Sequence, residues 1–123
     1  MTAALSVLIA DDHEPMRALL RKVLERAGVG DVRDVKSGAE ALAALQERRA
    51  DLLLADMTIP EMDGVALTER VRADYLVTRV IMITGRADAR TRDAARAAGA
   101  DAVLVKPVAP RDLLAAIEQL FTD

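Results

Sequence analysis

The sequence has no cysteine, no tryptophan and a single histidine. Without thiols there is no disulfide framework, which suits a reducing compartment, and the cytoplasm is the expected location. Tyr75 and Phe121 are the only aromatic residues, so a surface that stacks several bases of a single strand is hard to build. Charge is also sparse in net terms. A balance of −3 gives no global attraction to nucleic acid or to an anionic bilayer. No apolar run is long enough to span a membrane. The apolar start, Ala3 to Ala10, is broken by Asp11 and Asp12 and has no basic leader, so it does not resemble a signal peptide. No Gly-, Ser- or Pro-rich stretch could serve as an interdomain linker, and no G-x-G-x-x-G follows the first apolar run, which argues against a dinucleotide-binding enzyme.

What remains is a chain of 123 residues, about half of them hydrophobic, enough to bury the core of one compact domain over residues 1–123. Short β-branched or Leu-rich runs alternate with segments of helical period, the pattern of βαβ units around a parallel sheet. The runs are Ser6–Ala10, Val32–Val35, Leu52–Ala55, Val80–Ile83 and Ala102–Val105. All but the second are almost wholly apolar, as expected of strands covered on both faces. Between them Met16–Ala27, Ala39–Glu47, Val65–Ala73, Arg90–Ala98 and Asp112–Phe121 repeat apolar residues at helical spacing. Gly28 and Gly99 stand where helix C-terminal glycines belong, and Ser37 and Asp63 can cap the helices that follow them. Short right-handed connections then favour an open, doubly wound α/β sheet. A closed eight-fold barrel would need roughly twice the length.

In such sheets ligands bind beyond the carboxyl ends of the strands. Here the first strand runs into Asp11-Asp12, the third into Asp56, the fourth into Thr84-Gly85 and the fifth into Lys106-Pro107. Three carboxylates meeting at one edge repel each other, and a divalent cation resolves the conflict. All-oxygen ligation points to Mg²⁺, or Mn²⁺ in its place, rather than to Zn²⁺. A metal beside a carboxylate and a fixed ammonium suits phosphoryl transfer, where positioning and charge neutralisation supply most of the catalysis. Asp56 would be the nucleophile, with Lys106 and the Thr84 hydroxyl contacting phosphoryl oxygens.

Taken in order, Leu8-Ile9-Ala10-Asp11-Asp12, Asp56-Met57-Thr58-Ile59-Pro60-Glu61-Met62-Asp63-Gly64, Thr84 and Lys106-Pro107 resemble a response-regulator receiver domain of the CheY-like superfamily, across essentially the whole chain. The resemblance implies a flavodoxin-like (βα)5 fold with five parallel strands in the order 2-1-3-4-5. It implies Asp56 as phosphoacceptor, Asp11, Asp12, Asp56 and the Met57 carbonyl as metal ligands, Thr84 as the switch hydroxyl, Lys106 as the phosphoryl contact and a cis Lys106–Pro107 bond. It further implies a histidine kinase, phosphotransfer protein or small phosphodonor upstream and a protein partner downstream, engaged through the face of helix 4, strand 5 and helix 5. Direct nucleic-acid binding and membrane insertion are not expected. Nor is catalysis beyond the domain's own phosphorylation and dephosphorylation.

Two positions depart from the family pattern. Val103 stands where an aromatic residue commonly sits three places before the Lys, and Val108 where Phe is frequent after the Pro. Both leave room for a receiver-like scaffold that binds its partner without phosphate. A metal-dependent phosphatase is disfavoured because Thr58, not an acid, stands two places after Asp56. Thr58 and Arg86 are expected to set the lifetime of the phosphorylated state, Arg86 by shielding it or by pairing with an acid such as Glu14. Arg86, Arg90, Arg92 and Arg96, interspersed with Asp88 and Asp93, suit a solvated helix face with local ion pairs. An acidic partner or a phosphate-bearing second messenger is the alternative use. His13 and Glu14 are expected to be exposed beside a helix begun by Pro15. Were these 123 residues the whole protein, its output would have to be a protein contact or a phosphorelay.

Overall fold

The computed structural model describes residues 4–122. Five strands and five helices alternate along the chain: β1 (Ser6–Ala10), α1 (Glu14–Arg26), β2 (Asp31–Val35), α2 (Gly38–Glu47), β3 (Ala50–Asp56), α3 (Gly64–Ala73), β4 (Val77–Thr84), α4 (Ala89–Ala98), β5 (Ala102–Val105) and α5 (Pro110–Phe121). The strands form one parallel sheet in the order β2-β1-β3-β4-β5, as the resemblance implies.

Because side chains alternate across a strand, the central strands divide their apolar residues between two layers. Leu8, Ala10, Leu53, Ala55, Val80 and Met82 face one way, against Ala41 and Leu45 of α2, Leu67 and Val71 of α3 and Ala95 of α4. Val7, Ile9, Leu52, Leu54, Ile81 and Ile83 face the other, against Leu20 and Leu24 of α1 and Leu113 and Ile117 of α5. Each fully buried large aliphatic side chain contributes about 1.5–3 kcal/mol. That gain is offset by the entropy lost on ordering the chain.

Helix ends follow the capping residues. Ser37 Oγ accepts from Glu40 N–H at 3.1 Å and Asp63 Oδ1 from Ala66 N–H at 2.9 Å. Asp88, which sequence reasoning treated only as a charge, caps α4 by accepting from Thr91 N–H at 2.8 Å. Gly28 and Gly99 have φ of 97° and 112°, the left-handed conformation that ends a helix. Strands extend past the apolar runs. β4 begins at Val77 instead of Val80, because Thr78 and Arg79 keep their main chain in the ladder while their side chains reach outward.

The edge strand β2 carries charge. Asp34 accepts from Arg21 Nη2 at 2.6 Å and from Arg17 Nε at 3.1 Å. The Arg21 bond, outweighing burial, holds the Asp34 carboxyl below its ordinary range. A depressed carboxyl contributes stability above its unfolded-state pKa, and loses it as pH falls through the folded value. Asp34→Asn is therefore expected to cost less than about 1 kcal/mol at neutral pH for this partly exposed pair. The difference from the parent protein should shrink in urea unfolding as pH falls below the ordinary carboxylate range and through the folded value. No helix among the described residues is long and apolar enough to cross a membrane.

Candidate functional site

Sheet register brings the strand-end residues together. Ala10 lies level with Ala55, Asp56 with Ile83, and Thr84 with Val105. Asp11 therefore leaves β1 beside Asp56, Thr84 follows one position further along β4, and Lys106 one further along β5. Main-chain bonds continue the ladder through the site: Asp11 N–H donates to Val35 O at 3.1 Å, Met57 N–H to Ile83 O at 2.9 Å and Lys106 N–H to Thr84 O at 2.8 Å. The Lys106–Pro107 bond is cis.

Lys106 Nζ donates to Asp56 Oδ2 at 2.5 Å and stands 3.9 Å from Asp11 Oδ2. Asp56 Oδ1 accepts from Thr58 N–H at 2.9 Å, and Asp11 Oδ1 from His13 N–H at 2.8 Å. Asp11 and Asp56 are buried, whereas Asp12 is exposed. Asp11, Asp12 and Asp56 each offer one carboxylate oxygen, all within 4.8 Å of one another. Burial pushes the Asp11 carboxyl up, with the charges of Asp56 and Asp12 adding to it, against the His13 hydrogen bond and Lys106. Burial pulls the Lys106 ammonium down, but the Asp56 hydrogen bond and the charges of Asp56, Asp11 and Asp12 together carry it above its ordinary value. Lys106 is thereby held as a cation.

Three carboxylates facing one ammonium leave a formal excess of two negative charges. Asp11 Oδ2 is the atom that decides whether a divalent cation fits, since it is buried with no hydrogen-bond partner. A buried, unpartnered carboxylate oxygen is costly unless something else occupies it. With an all-oxygen donor set the site suits Mg²⁺ or Mn²⁺. The Met57 carbonyl accepts Gly64 N–H at 3.0 Å, which leaves its second lone pair for a ligand.

Thr84 is buried, and its Oγ accepts from Arg86 N–H at 3.0 Å. Together with Met57, Thr58, Asp63, Arg86 and Thr91 it lines a cleft of about 400 Å³ between the β3–α3 and β4–α4 loops. Arg86 pairs with Asp88 at 3.4 Å, not with Glu14, and stays exposed. His13 and Glu14 are exposed, and Pro15 stands in the first turn of α1, as expected. Val103 lies level with Met82 and packs on the core layer beneath α2, α3 and α4, while Val108 packs on the opposite layer.

Sequence reasoning missed Arg17 and Gly38. Arg17 Nη1 donates to the Asp11 main-chain oxygen at 2.7 Å. Its signal was available: Arg17 shares the helical stripe of the buried Leu20 and Leu24, an unusual place for a charge. Gly38 N–H donates to Pro60 O at 3.0 Å, and a Cβ there would lie 2.0 Å from Met62 O. That contact has no sequence signal, since it joins two loops distant in the chain.

Known proteins agree with this geometry. The family model of the response regulator receiver domain matches residues 7–118. The transcriptional regulatory protein GltR of Pseudomonas aeruginosa is 38% identical over 118 residues, which cover 94% of this chain and 48% of that protein. The chain thus spans about half the length of the curated relatives it matches. Among solved structures, chemotaxis protein CheY4 of Vibrio cholerae superposes with a TM-score of 0.88 at 30% identity, over 96% of this chain and 100% of that one. The signal receiver domain of a histidine kinase from Syntrophus aciditrophicus gives 0.87 at 30% identity, over 97% and 91%. A family match across nearly the whole chain, joined to acidic, hydroxyl and ammonium groups at the expected strand ends, leads to one assignment: the chain belongs to the response regulator receiver domain family of two-component systems.

Proposed function

We propose that the chain is a phosphoacceptor in a two-component or phosphorelay system, and that Asp56 takes the phosphoryl group. The observation that carries this is the pairing of a buried Asp56 with Lys106 at 2.5 Å beside an unpartnered Asp11 oxygen. The donor is a histidine kinase, a phosphotransfer protein or a small acyl phosphate. An Asp56 oxygen forms a bond to phosphorus as the bond from phosphorus to the donor's imidazole nitrogen or acyl oxygen breaks, and the leaving group departs with that electron pair. Bound Mg²⁺ or Mn²⁺, held by Asp11, Asp12, Asp56 and the Met57 carbonyl, supplies neutralisation of the phosphoryl oxygens' charge.

Lys106 then exchanges its hydrogen bond from the carboxylate to a phosphoryl oxygen, and the Thr84 hydroxyl donates to another. Thr58 and Arg86, at the mouth of the cleft, control the approach of hydrolytic water and so the lifetime of the phosphorylated form. The chemistry is confined to the domain itself, since Thr58 offers no acid for turnover on outside substrates. Output is a protein contact through α4, β5 and α5, altered by a shift between two conformations. α4 suits this role because only Ala95 and Ala98 of it are buried, so little packing resists its movement. Cytoplasmic action belongs to this proposal, because its phosphodonors are cytoplasmic.

Incubation with acetyl phosphate and Mg²⁺ is expected to add one phosphoryl group by intact mass, and chelation beforehand should prevent it. If a protein that binds Mg²⁺ took no phosphoryl group from acetyl phosphate or from a phosphohistidine donor, the proposal would fail, and a phosphate-independent scaffold would replace it.

A further inference from the structure

We propose that Arg17 is a positioning residue for the metal-ligating pair Asp11 and Asp12, acting through the peptide unit between them. The inference rests on the metal site proposed above and goes beyond it to a side chain outside the acidic cluster. Arg17 reaches from the first turn of α1 toward β2 at the edge of the sheet, with 14% of its side chain exposed. Its Nη1 donates to the Asp11 main-chain oxygen at 2.7 Å while its Nε donates to Asp34 Oδ2 at 3.1 Å. Arg21 Nη2 holds the other Asp34 oxygen at 2.6 Å. The guanidinium is thus braced against β2 from one side and grips the β1–α1 loop with the other.

The gripped oxygen is the informative part. A peptide unit is planar, so fixing the Asp11 carbonyl fixes the plane from which the Asp11 and Asp12 side chains both set out. Asp11 N–H is already held by Val35 O at 3.1 Å, which leaves the carbonyl as the remaining handle on this residue's main chain. The side chains have little orientation of their own. Asp11 has one hydrogen bond to its carboxylate, from His13 N–H. The Asp12 carboxylate has none among the described residues, so the backbone alone fixes the point and the cone from which it approaches a ligand.

Charge alone predicts the opposite behaviour, and that makes the inference testable. Arg17 is a cation near a cation site, so deleting it should tighten Mg²⁺ binding if only Coulomb repulsion mattered. Deleting a positioning residue should weaken it. Arg21 is the control, because it is a second cation on the same helix, bonded to the same Asp34, that does not touch Asp11.

The experiment is calorimetric titration of Mg²⁺ into the parent protein, Arg17→Ala, Arg17→Lys and Arg21→Ala, with thermal melts in chelator. Arg17→Ala is expected to raise the Mg²⁺ Kd about tenfold, Arg21→Ala less than about twofold, and Arg17→Lys to fall between them, as supports of metal ligands do. Lys keeps the charge but cannot serve Asp11 and Asp34 together. An unchanged or tighter Kd in Arg17→Ala overturns the inference, as does equal weakening in Arg21→Ala. If Arg17→Ala gives no cooperative melt, Arg17→Lys decides: weaker binding supports the role and parental affinity overturns it. If the parent protein itself binds no Mg²⁺, the metal site falls and this inference with it, a result distinct from any difference among the variants.

Discussion

Asp11→Asn is expected to melt higher than the parent protein in chelator, and lower than it at saturating Mg²⁺. Without metal, the parent buries the Asp11 carboxylate with no hydrogen bond to Oδ2, near two further carboxylates and with the Lys106 ammonium no closer than 3.9 Å. An amide of the same shape keeps the acceptor for His13 N–H and removes one of three neighbouring negative charges. Removing a buried, unsatisfied polar burden of this kind is worth about 1–3 kcal/mol. In a domain of this size that is a rise of about 4–12 °C. With metal the order reverses, because a ligand at about 1,000 times its Kd stabilises the folded state by about 4.1 kcal/mol, more than the variant gained, and the variant loses that stabilisation. Asp56→Asn completes the comparison and should take up no phosphoryl group from acetyl phosphate at any Mg²⁺ concentration. Two melts and one mass spectrum per variant decide the matter. An Asp11→Asn protein that melts below the parent in chelator would show that the acid is adequately compensated without metal.

Gly38→Ala and Gly64→Ala are expected to destabilise the fold by about 2–3 kcal/mol each, the upper part of the range for forcing extra atoms into a packed site. Both glycines grip the same loop, residues 57–63. Gly64 N–H donates to Met57 O and Gly38 N–H to Pro60 O, each at 3.0 Å. A Cβ on Gly64 would lie 2.6 Å from Asp56 O and 2.8 Å from Met57 Cα, and one on Gly38 would lie 2.0 Å from Met62 O. The opposing atoms are largely backbone, so the loop itself must move. That loop already contains Glu61 and Met62 at φ of 58° and 114°, conformations L-residues rarely adopt, and has little freedom left. Urea unfolding measures the loss, and Mg²⁺ titration should show weaker binding in Gly64→Ala because the Met57 carbonyl shifts. Parental stability in both variants would mean that the loop relaxes at no cost.

The fold was legible because its signals are local. Apolar runs such as Leu52–Ala55 and Val80–Ile83 mark buried parallel strands, and Ser37, Asp63 and Gly99 punctuate the helices as their chemistry requires. The acidic residues, Thr84 and Lys106 were legible because the carboxyl end of a parallel strand is where such a sheet places its ligands. Three things were hidden. Asp88 looked like one charge among several, although it caps α4. Thr78 and Arg79 concealed the first part of β4, because outward-facing polar side chains break an apolar run without breaking the ladder. Arg17 and Gly38 bond to main-chain oxygens of residues elsewhere in the chain, and a main-chain acceptor leaves no trace in residue type; the place of Arg17 on a buried helical stripe marks it as unusual without naming its partner.

Strand register has a consequence for what signalling can detect. Asp11, Asp56, Thr84 and Lys106 meet only because Ala10 pairs with Ala55, Asp56 with Ile83 and Thr84 with Val105. Side chains alternate with a period of two, so a slip of one residue between β3 and β4 would exchange the two core layers and carry Thr84 away from Asp56. A nascent, misregistered or unfolded chain therefore holds the same residues but not the assembled site. On the proposed function, a phosphodonor would therefore load only correctly folded molecules, and the chemistry itself would act as quality control.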